Sequence, residues 1–226
     1  MIILATWLAH LRVADRLLNE FGFSPREFLA GNIAPDCGEP VPGGFDPPKE
    51  ITHWTDSGKG HCDYERFRRE ILAPEQDGNN RTFLIGYFCH LMADVLWVRL
   101  INDPTKERFR ELYTSDREEY YRRVKPEWYA NDFLFLRSCP DFRSFRLFCE
   151  INEFPVNCLP YYRADSVEKQ IRIIQQYYLS PQSGVTAVVP LADRIPEDFV
   201  FLTPQQMDWW VEEAASRIAM RLREGI

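Results

Sequence analysis

The stretch Phe83–Ile101, FLIGYFCHLMADVLWVRLI, is the most apolar run of the chain, and only His90, Asp94 and Arg99 in it carry charge-bearing groups. It is long enough to test as a membrane span. A span would put His90 and Asp94 near the bilayer centre, where an Asp alone costs roughly 3 kcal/mol, so the reading is rejected. A helix that is apolar on every side in a globular protein is the central helix, covered on all faces by others. His90 and Asp94 stand four apart on it, which puts them on one face about 5–6 Å apart at Cβ. Gly86, one turn before His90, is expected to leave room beside the imidazole.

Outward from this run the chain reads as helix. Leu4, Trp7, Leu8, Leu11, Ala14 and Leu18 recur at helical spacing, with Arg12, Asp15 and Arg16 off that stripe, which predicts an amphipathic first helix. Charged helix is expected over Asp63–Leu72 and Lys106–Lys125, short aromatic helices over Glu127–Arg137 and Phe142–Ile151, and another over Ser166–Leu179. The last helix has readable ends: Thr203 as N-cap, Pro204 at its first position, Gln206 completing a capping box, and Gly225 past its end. Alternation suggestive of a strand is weak and confined to Val185–Val189. The fold class is therefore all-α, a single compact multi-helix domain over residues 1–226 around a buried central helix at about residues 80–101.

One segment breaks the pattern. Gly31–Lys59 holds Pro35, Pro40, Pro42, Pro47 and Pro48 with five glycines, so no long helix can cross it. Long loops inside a domain tend to be functional or mobile. This one carries Asp36 and His53, with His61 just beyond it.

A net charge of −7 gives no broad positive field to gather nucleic acid or anionic membrane, so no duplex nucleic acid partner is expected. The N-terminal apolar segment lacks a basic flank and a small-residue cleavage site and reads as a helix of the mature protein. The six cysteines form no C-x-x-C pair, so free thiols in a reducing cytoplasm are expected, not a Cys-based zinc site.

The chain has four histidines, His10, His53, His61 and His90. Each has a plain alternative: a satisfied core residue for His10, a loop residue for His53, a pre-helix residue for His61, a buried His–Asp pair for His90. Asp36, after Pro35, could be a turn residue. As a set, His10, Asp36, His53, His90 and Asp94 supply three imidazoles and two carboxylates, the nitrogen and oxygen ligands that zinc accepts, in numbers that suit one or two ions.

The segments TWLAHLRVAD (6–15), GNIAPD (31–36), ITHW (51–54) and GYFCHLMADVLW (86–97) resemble the bacterial zinc-dependent phospholipase C family, within the superfamily that also holds single-strand zinc nucleases. WYANDFLFLR (128–137) and PDFRSFRLF (140–148) look like a cytoplasmic branch of it. The resemblance implies a mainly helical fold, zinc on the central helix and hydrolysis of a phosphate ester. It further implies that His53, His90 and Asp94 hold one zinc with Asp36 beside it, that His10 and Asp94 hold a second, and that Asp36 orients or deprotonates the attacking water. Asp132 is an accessory-ligand candidate. No histidine follows His90, so the family's downstream ligands have no counterpart, a third zinc is not expected, and the amine of Met1 is not assigned. The expected substrate is a small phosphoester or a phospholipid-like molecule. The competing reading is a non-catalytic helical metal-binding or scaffold protein; an HD-type phosphohydrolase would need an adjacent His-Asp dipeptide, which this chain lacks.

Overall fold

The computed structural model describes residues 5–55, 62–179, 195, 196 and 198–226. Among these the architecture is all-α, with one two-stranded hairpin. Helix α1 spans Trp7–Phe21 and opens on Thr6, whose side chain accepts from the Ala9 N–H. Helix α2 spans Pro25–Ile33 and runs directly into a 3-10 turn at Ala34–Asp36. In the described part of the Pro-rich segment, strands β1 (Glu39–Val41) and β2 (Gly44–Asp46) pair antiparallel, and the short helix α3 (Lys49–Thr52) follows. Helix α4 (Tyr64–Phe67) continues as a wider π turn to Leu72.

Helix α5, Gly78–Trp97, is the predicted central helix, and every residue from Phe83 to Trp97 is buried. It is the one described helix long and apolar enough to cross a membrane, but protein covers it: α2 lies along it, and α1, α4 and α11 also pack on it. That environment explains how His90 and Asp94 are tolerated, since a helix with no solvent face carries its polar groups toward partners within the protein.

The approach of α2 to α5 depends on two glycines. A Cβ at Gly31 would lie 1.9 Å from the Phe83 carbonyl oxygen, and one at Gly86 would lie 2.3 Å from that of Phe28. The two helices meet backbone to backbone. Gly86 therefore makes room for α2 and not, as its spacing suggested, for the imidazole of His90; Gly31 lies within α2 and does not bend it.

Beyond α5 a π turn (Val98–Asn102) leads to α6 (Asp103–Arg108), α7 (Arg110–Ser115), α8 (Arg117–Ser138), α9 (Arg143–Cys149), α10 (Ser166–Leu179) and α11 (Pro204–Arg223). Three boundaries differ from the sequence reading. The charged stretch breaks at Phe109 and again at Asp116, which caps α8 by accepting from the Glu119 N–H. Helix α8 then runs straight through Pro126. Proline removes one backbone donor, here opposite the carbonyl of exposed Arg122, while buried Tyr120, Val124 and Trp128 hold the helix down. The capping box at Thr203, Pro204 and Gln206 is present as read. Glu127 ties the approach to α11, accepting the backbone N–H groups of Val200, Phe201 and Leu202. All six cysteines are free thiols. The suggested strand at Val185–Val189 lies outside the described residues.

Candidate metal centre

Four elements converge on one point inside the bundle. Helix α1 presents His10 one turn beyond its cap. Helix α5 presents His90 and Asp94 from its buried middle. The 3-10 turn after α2 presents Asp36, and the end of α3 presents His53. Trp54 next to it takes a left-handed backbone (φ 54°), a strained choice for a bulky residue; its amide bonds to the Ile51 carbonyl and its own carbonyl accepts from Asp63. Two tyrosine hydroxyls secure these loops from beneath: Tyr162 donates to the Ala34 carbonyl (2.5 Å) and Tyr87 to that of Thr52.

The resulting geometry is tight. Asp94 turns Oδ1 toward His10 Nε2 (3.2 Å) and Oδ2 toward both His90 Nε2 (3.1 Å) and His53 Nε2 (3.6 Å). Asp36 Oδ1 lies 3.5 Å from His53 Nε2. The His10 and His90 rings stack, with centroids 3.8 Å apart. Two triads, His10/His90/Asp94 and Asp36/His53/His90, each place their ligand atoms within 4.8 Å of one another. The four residues His10, His53, His90 and Asp94 have no solvent exposure.

The hydrogen bonding around these rings is one-sided. The Asn32 carbonyl can only accept, so it fixes the proton of His90 on Nδ1 (2.8 Å). His53 Nδ1 faces the Lys49 carbonyl (3.2 Å) and the Thr52 hydroxyl (3.0 Å), and the carbonyl, which only accepts, favours a proton on Nδ1 there too. Both rings then turn a bare Nε2 lone pair into the cluster. Among the described residues, the Nε2 atoms of His10, His53 and His90 and both Asp94 oxygens have no hydrogen-bond partner. A buried polar atom left unpaired costs about 1–3 kcal/mol, and here five aim at one spot.

A family model described as zinc dependent phospholipase C matches residues 3–117. The chain belongs to the zinc-dependent phospholipase C family. No curated protein and no solved structure matches it. The matched segment carries all five converging residues.

The donor set fits the family's metal. Neutral imidazole nitrogen and carboxylate oxygen are zinc ligands, and a carbonyl that accepts the far N–H of a ligand imidazole fixes its orientation. One or two cations held there would satisfy the five unpaired atoms.

The electrostatics are those of a compact buried charge cluster. Burial, then the neighbouring His90, push His10 below the usual imidazole range, and burial lowers His53 as well. Burial opposes charge on His90, but Asp94 overcomes it and raises the ring. Burial likewise works against the Asp94 carboxylate, and His90 and His10 hold it down nonetheless. For Asp36 burial is offset first by Lys49 and then by His53, leaving it well below the ordinary range.

Asp132 does not join either triad. It is fully buried on α8, and its two oxygens accept from Thr6 Oγ1 and the Tyr178 hydroxyl, each at 2.7 Å. These bonds tie α8 to the cap of α1 and to α10, and occupy the atoms that a metal would use. His61 lies outside the described residues. The residues that the sequence reading passed over are Asn32, Tyr87, Tyr162 and Lys49. Only Lys49 carried a usable signal, a cation four positions before His53; the others act through chain-distant carbonyls.

Proposed function

We propose that this chain is a zinc-dependent hydrolase of phosphate esters or phosphodiesters, phospholipase C-like in reaction, acting on a small phosphoester or phospholipid-like molecule. The observation that carries the reading is the set of five buried, unpaired ligand atoms on His10, His53, His90 and Asp94, with Asp36 at their edge. Asp94 would bridge two ions, its Oδ1 serving the side of His10 and its Oδ2 the side of His53 and His90. Zinc bound there supplies Lewis acidity to the phosphoryl group and lowers the pKa of a bound water from about 15.7 toward 7. The chain's own part is to orient three imidazoles, through the Asn32 and Lys49 carbonyls in two of the three cases; a bound cation would keep their Nε2 atoms unprotonated. Asp36 orients the attacking water and accepts its proton as the new P–O bond forms; the ester P–O bond breaks and the departing alkoxide takes a proton from solvent water to leave as the alcohol.

Retention of Asp36 beside the ligands favours an enzyme over a scaffold. The free thiols support a reducing, cytoplasmic setting, and the packing of α11 on α1 and α5 supports one domain throughout. The test is zinc analysis of the purified chain with turnover of a generic phosphodiester. Activity abolished by chelation and restored by zinc is the expected result. A His90→Ala variant that keeps both its zinc and wild-type turnover would overturn the assignment.

A further inference from the structure

Exposure around the centre is graded. The ligand side chains are wholly buried, the Asp36 side chain is 6% exposed, and that of Lys49 is 28% exposed. Among these described residues, Lys49 is the most exposed side chain in contact with the centre. The Lys49 ammonium lies 2.9 Å from Asp36 Oδ1 and 5.4 Å from the centre of the Phe45 ring on β2. Of the three donors that an ammonium has, this contact uses one.

Any bound zinc would attract a phosphoryl group from within the centre; at its more exposed edge, in a chain that is acidic as a whole, Lys49 adds a cation of the protein's own. Lys49 thus places positive charge beside an acidic cluster.

We propose that Lys49 is a substrate-binding residue of this centre, its ammonium holding a non-bridging oxygen of the phosphoryl group while retaining Asp36 as its second partner. The assignment rests on the hydrolase reading and deepens it, because it makes the ligand class a phosphoryl oxyanion reached from the hairpin side. A lysine binds such a group as a point charge, without the forked geometry of arginine.

The experiment is calorimetric titration of the zinc-reconstituted chain with inorganic phosphate and, in a second arm, with a monomeric dihexanoyl glycerophospholipid. Zinc content is measured in parallel. Lys49→Gln is expected to weaken phosphate binding by about tenfold or more, the size of one lost charge-assisted hydrogen bond, with zinc content unchanged, and Lys49→Arg to recover part of it. Asp36→Asn compared with the double variant Asp36→Asn/Lys49→Gln gives the same reading without an unpaired carboxylate that could disturb folding. Loss in both arms assigns Lys49 to a phosphodiester oxygen; loss for phosphate alone assigns it to a monoester or to product. Either supports the proposal. Wild-type affinity in both Lys49→Gln backgrounds, no phosphate binding by the wild type, or loss of zinc along with phosphate would overturn it. The hydrolase reading fails separately, through absent zinc or absent turnover in the wild type.

Discussion

The imidazole rings of His10 and His90 stack with their planes 7° from parallel, although one comes from α1 and the other from α5. Two stacked imidazoles repel when both are protonated, and burial already disfavours the charge on His10. The arrangement suits neutral rings that point parallel lone pairs at separate cations. Zinc per chain is therefore expected to fall from about two ions to about one in His10→Ala, and to near zero in Asp94→Ala, whose two oxygens serve both sides. Atomic absorption after dialysis against buffered zinc reads this directly. An unchanged zinc content in Asp94→Ala would rule out the bridging role.

The crossing of α2 over α5 makes a sharper stability prediction. Gly86→Ala forces a methyl against the Phe28 carbonyl and within 3.0 Å of the Asn32 amide, so backbone must move. The expected cost is about 3 kcal/mol, at the upper end for overpacking. Because the shifted helix also carries the Asn32 carbonyl that orients His90, zinc affinity should fall with it. Gly78→Ala at the start of the same helix meets nothing within 4 Å and is the control, expected to change stability by no more than about 0.5 kcal/mol. Urea unfolding of the two variants compares them.

These two glycines also show where the sequence stopped being readable. The apolar run at Phe83–Ile101, the i, i+4 pair of His90 and Asp94, and the capping box at Thr203 are local patterns, and each appears in the structure as read. Gly86 was visible as a gap on the face of His90, but which neighbour filled the gap depended on α2, and no short-range pattern reports that. Pro126 marked a helix end by local rules, yet buried residues on either side carry α8 through it. The convergence of His10 and His53 on α5 followed from a family resemblance and not from spacing. The hydroxyls of Tyr87 and Tyr162 reach backbone carbonyls far away in sequence, which residue type alone cannot specify.

Asp132 gives the chain a pH dependence that is independent of metal. Burial pushes its carboxyl up to about 7, against the opposing bonds from Tyr178 and Thr6. The unfolded chain releases this proton near 3.8, so between those values the folded state binds more protons than the unfolded one. The contribution of this group to stability is present below 3.8 and is lost as pH rises through about 7. The slope is about −1.4 kcal/mol per pH unit at most. Asp132→Asn removes the titration, so the stability of wild type relative to this variant should decline from pH 4 to pH 7, as measured by urea unfolding at several pH values. A constant difference would show that the carboxyl titrates normally.

The last prediction concerns Tyr162, which lies beyond the family-matched segment yet supports the centre. Its hydroxyl donates to the Ala34 carbonyl, two residues before Asp36, and stands near the Tyr87 hydroxyl that secures Thr52 ahead of His53. Tyr162→Phe keeps the ring and removes one bond, for an expected loss of about 1 kcal/mol in stability. If the bond only stabilises the fold, kcat will be unchanged at temperatures well below unfolding. If it sets the position of Asp36 against the attacking water, kcat will fall severalfold, with at most a partial loss of zinc because His10, His53, His90 and Asp94 remain in place. The second outcome is expected. Tyr87 accepts from the Tyr161 hydroxyl and donates to the Thr52 carbonyl ahead of His53, so Tyr87→Phe should act in the same direction, with an added loss of zinc affinity through the displaced His53.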